Sequence, residues 1–500
     1  MSNDTGIWLR LRLLGVVFLP AATLMALEIV SSRLLAPAFG NSVYVWGSII
    51  GVFLAAMSVG YVAGGKLADA RPRLEVLGWV LLLSAAVQGL TASIGRTTVI
   101  ELGEATGGSP VGTLLAVAIL FGPATAALAS VSPFAVRLTG RDPLGLGGVA
   151  GRLFALSTFG SLVGTLAATF VLVPQLNLST ILAWLVSVTA LGALLCFDRA
   201  VPALLALAVT VVAWIAPQLG QTSEAVRAER ITPYQTLIVR EEAGVRALIS
   251  DGIRHGAVRI DDGGPALTYV HGAAVALLAR PHARTMLGLG LGTGSAGTLL
   301  RQLRPGLEVI YAEIDPAVGD LAREWFALDS AIEVEVEDAR RFLARSERTW
   351  DIVYCDTYVG QAVPFHLATR EFFALLSERL SPEGIVEINI ASHITQPFAR
   401  AILRTVVAVF PEVDVFSLPD SGNFLIVASR SPLPPDSELE ESGRQLDRRL
   451  GAARSYQRVA RSRWTGEVDL STSPILTDAF APVDSLLDLG TRDARLPGIP

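Results

Sequence analysis

One glycine run and three acidic residues carry most of the chemistry open to this chain. The stretch Thr285-Met-Leu-Gly-Leu-Gly-Leu-Gly-Thr-Gly294 leads from an apolar strand pattern into a helix pattern. Gly288, Gly290, Gly292 and Gly294 exceed what a tight turn needs, and such a run lets backbone approach a ligand closely. Glu313 ends the next strand pattern, 19 residues after Gly294, where a carboxylate can grip ribose hydroxyls. Asp338 follows the third strand pattern. It can accept an adenine amino group while the backbone amide of Ala339 meets a ring nitrogen, or it can cap the helix pattern 338–346, or do both. Asp356 closes the fourth strand pattern, at the edge where ligands of such sheets bind, and can orient or deprotonate an incoming amine. Asp315 is better read as a helix N-cap, because Pro316 follows it.

These residues need a scaffold, and the strand and helix patterns supply one. Strands are expected at 285–291, 307–313, 332–336, 350–356 and 384–390, with helices at 295–304, 316–326, 338–346, 368–380 and 393–409. This alternation predicts a mostly parallel, Rossmann-like sheet of the methyltransferase type, covered on both faces. A small β-subdomain precedes it, with strand patterns at 234–240 and 245–250 and the turn pair Asp251-Gly252. Residues 221–230 read as a polar linker, and 431–450 as a loop or peripheral helix.

The first 220 residues have a different character. Apolar stretches at 13–36, 43–65, 74–95, 111–136, 150–173, 178–197 and 201–217 approach or reach the length that crosses a bilayer. Basic loops alternate with loops poor in positive charge: Arg10 and Arg12, Lys66 to Arg73, Arg137 to Arg152, and Arg199 would face the cytoplasm. Seven spans would then leave the C-terminal half outside, where a cytosolic nucleoside is absent. The segment 201–217, short and flanked by Pro202 and Pro217, is therefore read as interfacial or re-entrant. Glu28 and Arg33 lie in or near the first span, as a substrate path or as ordinary interfacial and interhelical groups. Gly60-x-x-x-Gly64 and Gly160-x-x-x-Gly164 read as helix-packing contacts. The expected organisation is an all-α polytopic membrane domain over 1–220, a linker and β-subdomain over 221–280, the α/β domain over 281–430, and a peripheral tail over 431–500.

Composition narrows the partners. Mean hydropathy is +0.50 and only 17% of the 500 residues are charged. Basic and acidic residues number 11 and 8 up to Gly220, and 29 and 38 beyond it. An acidic second half argues against nucleic acid as the main partner. The two cysteines, Cys196 and Cys355, fall in apolar patterns, and the five histidines lack metal-ligand spacing, so neither a disulfide nor a metal site is expected.

In this order, Pro233-Tyr234-Gln235, Asp251-Gly252, Tyr269 with His271, the glycine loop, Glu313-Ile-Asp315, Asp338-Ala339 and Asp356 resemble the spermidine synthase (polyamine aminopropyltransferase) family over roughly 231–430. The stretches 33–40 and 60–69 resemble its membrane-fused bacterial branch. The resemblance implies transfer of an aminopropyl group from decarboxylated S-adenosylmethionine to an amine such as putrescine, without a metal. Gln235 and Glu313 would hold the ribose, Asp338 the adenine, and Asp356 would act on the amine. Tyr234, Tyr269 and His271 would border the substrate, and soluble relatives suggest a homo-oligomer.

The chain departs from the family where ammonium groups are bound: the glycine loop carries Thr293 instead of an acid, Val359 stands where a second acid is usual, and Asp261-Asp262 do not clearly match the family's acidic pair. Tyr358, Gln361, Pro364, His366 and Glu371 would then shape the acceptor side, with Asp478 reaching it from the tail or simply exposed. Those departures keep open a transferase of the same fold using ordinary S-adenosylmethionine on another small or membrane-borne acceptor. A transporter with a nucleoside-sensing domain is the third reading.

Overall fold

A computed structural model describes residues 2–40, 42–139, 146–198, 200–219, 225–358, 363–418, 421–451 and 456–487. The chain forms two compact units, one of residues 1–224 with 231–233, the other of 225–230 with 234–500.

The first unit is helical. Leu11–Phe39, Val43–Ala70, Leu74–Thr106 and Leu146–Gln175 are long and apolar enough to cross a membrane. The pair Pro110–Leu120 and Gly122–Thr139, bent by 49°, would make a fifth span, while Leu178–Leu194 and Ala200–Ala216 are shorter apolar helices. The third helix outruns its apolar stretch. Glu101 and Glu104, beyond the expected stretch 74–95, lie in its last turns, and Gly107 ends it in the left-handed conformation. The segment read as interfacial, 201–217, belongs to the helix Ala200–Leu219. It packs on the helix Leu178–Leu194, where Trp214 Nε1 donates to Ser187 Oγ at 3.2 Å.

The glycine pairs bring backbones together. A Cβ on Gly60 would meet the Ala126 carbonyl at 2.2 Å, and one on Gly164 the Ala22 carbonyl at 2.0 Å. Several buried polar groups are matched as well: Gln88 donates to Ser84 and Thr189, and Thr91 to the Leu120 carbonyl. Arg33 donates to the carbonyls of Thr232 and Pro233 at 3.0 and 2.9 Å.

The second unit begins with a four-stranded sheet, β1 Val226–Ile231, β2 Thr236–Glu242, β3 Val245–Ser250 and β4 Ile253–Arg259, in that order. The second half of the expected linker is thus a strand. β1 is an edge strand exposed at most of its positions, so its polar composition conceals it. Asp251 and Gly252, both at positive φ, turn β3 into β4.

The larger sheet contains β5 Thr285–Leu289, β6 Glu308–Glu313, β7 Glu333–Val336, β8 Trp350–Cys355, β9 Leu380–Ile390, β10 Glu412–Ser417 and β11 Phe424–Ser429. Its order is β10-β11-β9-β8-β5-β6-β7. The expected helices appear at Ser295–Leu303, Pro316–Trp325, Ala339–Arg345, Arg370–Glu378 and Pro397–Val407. β5 to β9 pair in parallel, while β10 and β11 form an antiparallel extension that the alternation did not foretell. Alternate residues fill two cores: Met286, Tyr311 and Tyr354 on one face, Leu287, Ile310 and Val353 on the other.

The tail is not peripheral. The helices Asp436–Leu450 and Tyr456–Ala460 bury Leu439, Tyr456 and Val459 in the first of these cores, and Leu476 and Val483 enter the second. The segments 225–230 and 234–500 therefore form one unit, where three divisions were expected.

Candidate active site

Strand order determines where a ligand can lie. The chain winds outward from β5 to β6 and β7, then returns to place β8 on the other side of β5. The loops that leave β5 and β8 therefore part at a topological switch point, which opens a crevice at the carboxyl ends of the strands. The glycine loop, Glu313 and Asp356 leave the adjacent strands β5, β6 and β8 at this edge.

The glycines divide by role. A Cβ on Gly288 would overlap the Tyr311 ring at 2.1 Å, so this glycine serves packing within the sheet. Tyr311 in turn accepts the Gly297 N–H at 2.9 Å and draws the following helix onto β6. Gly290, at φ +80°, lies so close to β8 that a Cβ would come within 2.3 Å of the Asp356 carbonyl. Gly294 is crowded by Leu328. Gly292 alone of the four combines a positive φ, +54°, with room: the nearest atom to a Cβ there is the His255 carbonyl at 3.7 Å. That is where a ligand can come against the backbone.

Glu313 organises the loop. One carboxylate oxygen accepts the Leu291 N–H and the other the Asp315 N–H, each at 2.9 Å. Burial raises its pKa, and these backbone donors pull against that rise. Each oxygen keeps a further acceptor position, which suits a pair of vicinal hydroxyls. Asp315 caps the next helix through the Ala317 N–H at 3.1 Å, the role expected for it. Gln235 donates to Asp315 Oδ2 at 3.3 Å and accepts from Ser250, so the β-subdomain is tied to the same strand end.

Asp338 does cap its helix, accepting from the Arg341 N–H at 2.9 Å. Its other oxygen lies 2.9 Å from His366 Nε2. Burial opposes its ionisation, but the bonds to His366 and to backbone prevail and hold its pKa below the ordinary range. Ala339, the next residue, is buried. His366, expected on the acceptor side, thus stands beside the residue assigned to adenine.

Asp356 has the setting of a reactive carboxylate. Its backbone N–H extends the ladder to the Leu289 carbonyl, and Asn389 Nδ2 donates to its Oδ1 at 3.0 Å. Burial pushes its pKa up to about 6, against the pull of the hydrogen bond from Asn389 and of the nearby Tyr269 hydroxyl. The Tyr269 hydroxyl donates its proton to the His255 carbonyl at 3.3 Å. Tyr358 accepts the Ala391 N–H at 2.8 Å. His271 places its ring edge-on to Tyr456, with centroids 6.4 Å apart, and Tyr234 is exposed. Gln361 and Val359 lie outside the described residues.

Asp478 is neither a free tail acid nor an open acceptor group. Arg340 grips both of its oxygens at 2.6 to 2.7 Å, and Thr369 donates to it, which lowers its pKa to about 2. The acid's own N–H is held by Glu371 at 3.0 Å.

Two asparagines escaped the sequence reading. Asn389 is buried on β9 and its Oδ1 accepts a hydrogen bond from Asn423 Nδ2 at 2.9 Å. The signal was an asparagine at the far end of the otherwise apolar run Ile388-Asn-Ile390. Thr293, in the position usually acidic, is itself buried. Its methyl packs on Gly256 of β4 and its hydroxyl lies 2.8 Å from Ser295 Oγ.

Comparison with known proteins bears on the family of the chain. No family model matches the chain. A Bifidobacterium longum protein described as a probable polyamine aminopropyl transferase is 30% identical over 261 residues, 48% of this chain and 58% of that one. The chain thus spans little more than half the length of that relative. A polyamine aminopropyltransferase of Vibrio vulnificus is 30% identical over 225 residues, 44% of this chain and 75% of its own. A solved structure of a probable spermidine synthase from Corynebacterium glutamicum aligns with a TM-score of 0.41 at 17% identity, over 51% of this chain and 95% of that one.

Proposed function

The chain belongs to the polyamine aminopropyltransferase family, and from that premise we propose that its α/β unit transfers an aminopropyl group from decarboxylated S-adenosylmethionine to a small amine such as putrescine, with the helical unit seated in a bilayer. The observation that carries the reading is Asp356: a carboxyl held by Asn389 at the strand edge, its pKa raised by burial to about 6, beside a glycine loop organised by Glu313.

The reaction is a displacement. The acceptor nitrogen forms a bond to the carbon beside the sulfonium, and the carbon–sulfur bond breaks with its electron pair going to sulfur. The new ammonium then sheds a proton. Such a step needs an unprotonated amine placed in line, so positioning and a weak base supply most of the catalysis. Asp356, ionised above pH 6, accepts the amine proton. Asn389 keeps that carboxylate in one orientation. Glu313 and the open backbone at Gly292 would hold the ribose, Gln235 supports that corner through Asp315, and Asp338 with Ala339 would meet the adenine.

One observation favours a second reading. Thr293 puts no charge in the glycine loop to receive the donor's ammonium, so a transferase using ordinary S-adenosylmethionine also fits. Calorimetric titration with both forms and with methylthioadenosine separates the two. Preference for the decarboxylated form, with Asp356→Asn losing turnover but not binding, supports aminopropyl transfer. Equal or tighter binding of the carboxylated form rejects it.

A further inference from the structure

A tight turn of the tail presents one acid to the segments that follow β7 and β8. The backbone N–H groups of Thr477 and Phe480 each donate to the other's carbonyl at 2.9 Å, with Asp478 between them. The turn is anchored from behind. Leu476 is fully buried, its N–H donates to the Thr405 hydroxyl at 2.9 Å, and its carbonyl accepts the Arg370 N–H at 2.8 Å. The Asp478 N–H itself donates to Glu371 at 3.0 Å. The backbone of this acid is therefore fixed on both sides, and little freedom is left for it to lose on pairing.

What Asp478 meets is a chain of bonds that ends at Asp338. Arg340 donates to both carboxylate oxygens, Nη1 to Oδ1 at 2.7 Å and Nη2 to Oδ2 at 2.6 Å, in the forked geometry of strong ion pairs. The same Nη1 donates to the His366 carbonyl at 3.1 Å. The His366 ring in turn brings Nε2 to 2.9 Å from Asp338 Oδ2. Thr369 donates its hydroxyl to Asp478 Oδ1 at 2.8 Å. One carboxylate thus ties together the helix start that carries Asp338 and Ala339, the turn that carries His366, and the tail. Without it, Arg340 would be a partly exposed side chain with several rotatable bonds and one neutral acceptor, which does not hold a segment in place.

From these bonds we infer that Asp478 is a positioning residue of the nucleoside site: through Arg340 and the His366 segment it fixes the carboxylate of Asp338, and with it the preference for an adenine base. The inference rests on the assignment of Asp338 to the adenine amino group. Asp478 itself touches no ligand. Asp338 Oδ1 accepts the Arg341 N–H at 2.9 Å, and Oδ2 faces His366. An ionised oxygen accepts a second donor, so it takes an amino N–H, and it repels the carbonyl that hypoxanthine carries at the same ring position. That discrimination lasts only while the carboxylate stays where its neighbours hold it.

The test is calorimetric titration of the full-length protein in detergent with methylthioadenosine and with methylthioinosine, its hypoxanthine counterpart. Wild type should favour the adenine ligand. Asp478→Asn should weaken that ligand by about three- to tenfold, the effect of one misplaced hydrogen bond, and change the hypoxanthine ligand little. The ratio of the two affinities then falls. A general loosening of the fold would weaken both ligands alike and leave the ratio where it was. Arg340→Lys, which keeps the charge and loses the fork, should lower the ratio as much, and the double variant should lower it no further. Should Asp478→Asn fail to fold, Arg340→Lys decides alone. An unchanged ratio in the folded variants overturns the inference and leaves the proposed reaction standing. If wild type binds neither ligand, the proposed reaction falls and the role of Asp478 falls with it.

Discussion

The carboxyl edge of the sheet and the helical unit treat buried acids in opposite ways. At the sheet edge each candidate carboxylate is already held: Glu313 by two backbone amides, Asp338 by a helix N-terminus and His366, Asp356 by Asn389. In the helical unit Glu28 has only its partial burial. The contrast separates two uses of charge. A carboxylate that must present one oxygen to a reacting atom is fixed beforehand, because preorganisation spares that cost at the moment of reaction. A carboxylate left without a partner has no orientation fixed in this way.

The largest expected effect tests the first half of that contrast. Asp356→Asn should lower the turnover number by about 10²- to 10⁴-fold, the range for a removed acid–base group, while the donor still binds. A loss under tenfold would demote Asp356 to a spectator. Next, Glu313→Ala should weaken S-adenosylmethionine, its decarboxylated form and methylthioadenosine together, by roughly a hundredfold or more, since it removes charge-assisted bonds to the ribose and releases the loop amides. Unchanged calorimetric affinity would refute the ribose contact.

Gly290→Ala should lower stability by about 2–4 kcal/mol, because a methyl group would strike the Asp356 carbonyl at a positive φ. Chemical denaturation measures this directly.

The pH dependence follows from Asp356. Its pKa is near 6 when folded and near 3.9 in an unfolded chain, so the folded state keeps the proton longer. Stability is then lost as pH rises through that window, by roughly 3 kcal/mol at most. Asp356→Asn should therefore raise the melting temperature at pH 8 and change it little at pH 4. The rate for wild type should fall as pH drops below about 6. The smallest effect belongs to the helical unit: Glu28→Gln should shift stability by under about 0.5 kcal/mol, since no partner is orphaned. A large destabilisation would mean that Glu28 is a structural ion after all, and the contrast would dissolve.

Much of the α/β unit was legible because its signals are local. The five parallel strands and their helices fall within a few residues of the apolar patterns, and Asp315 caps its helix as Pro316 implied. What escaped depended on exposure or on partners distant in sequence. β1 is polar because it is an exposed edge. β10 and β11 take their place by antiparallel pairing with each other and with β9. The tail looked peripheral because its buried residues, Leu439, Tyr456 and Leu476, are widely spaced among polar ones.

The site divides in the same way. Order along the chain alone determined that Glu313, Asp338 and Asp356 end their strands, because a strand's apolar period stops where its carboxyl edge meets solvent or ligand. Tertiary structure decided the partner each one meets. His366 reaches Asp338 across 28 residues, Asn389 reaches Asp356 across 33, and Arg340 closes on Asp478 across 138. No local pattern encodes those pairs: they exist only once the strand order has brought the loops together, and through hydrogen bonding and desolvation they tune each carboxylate's proton affinity.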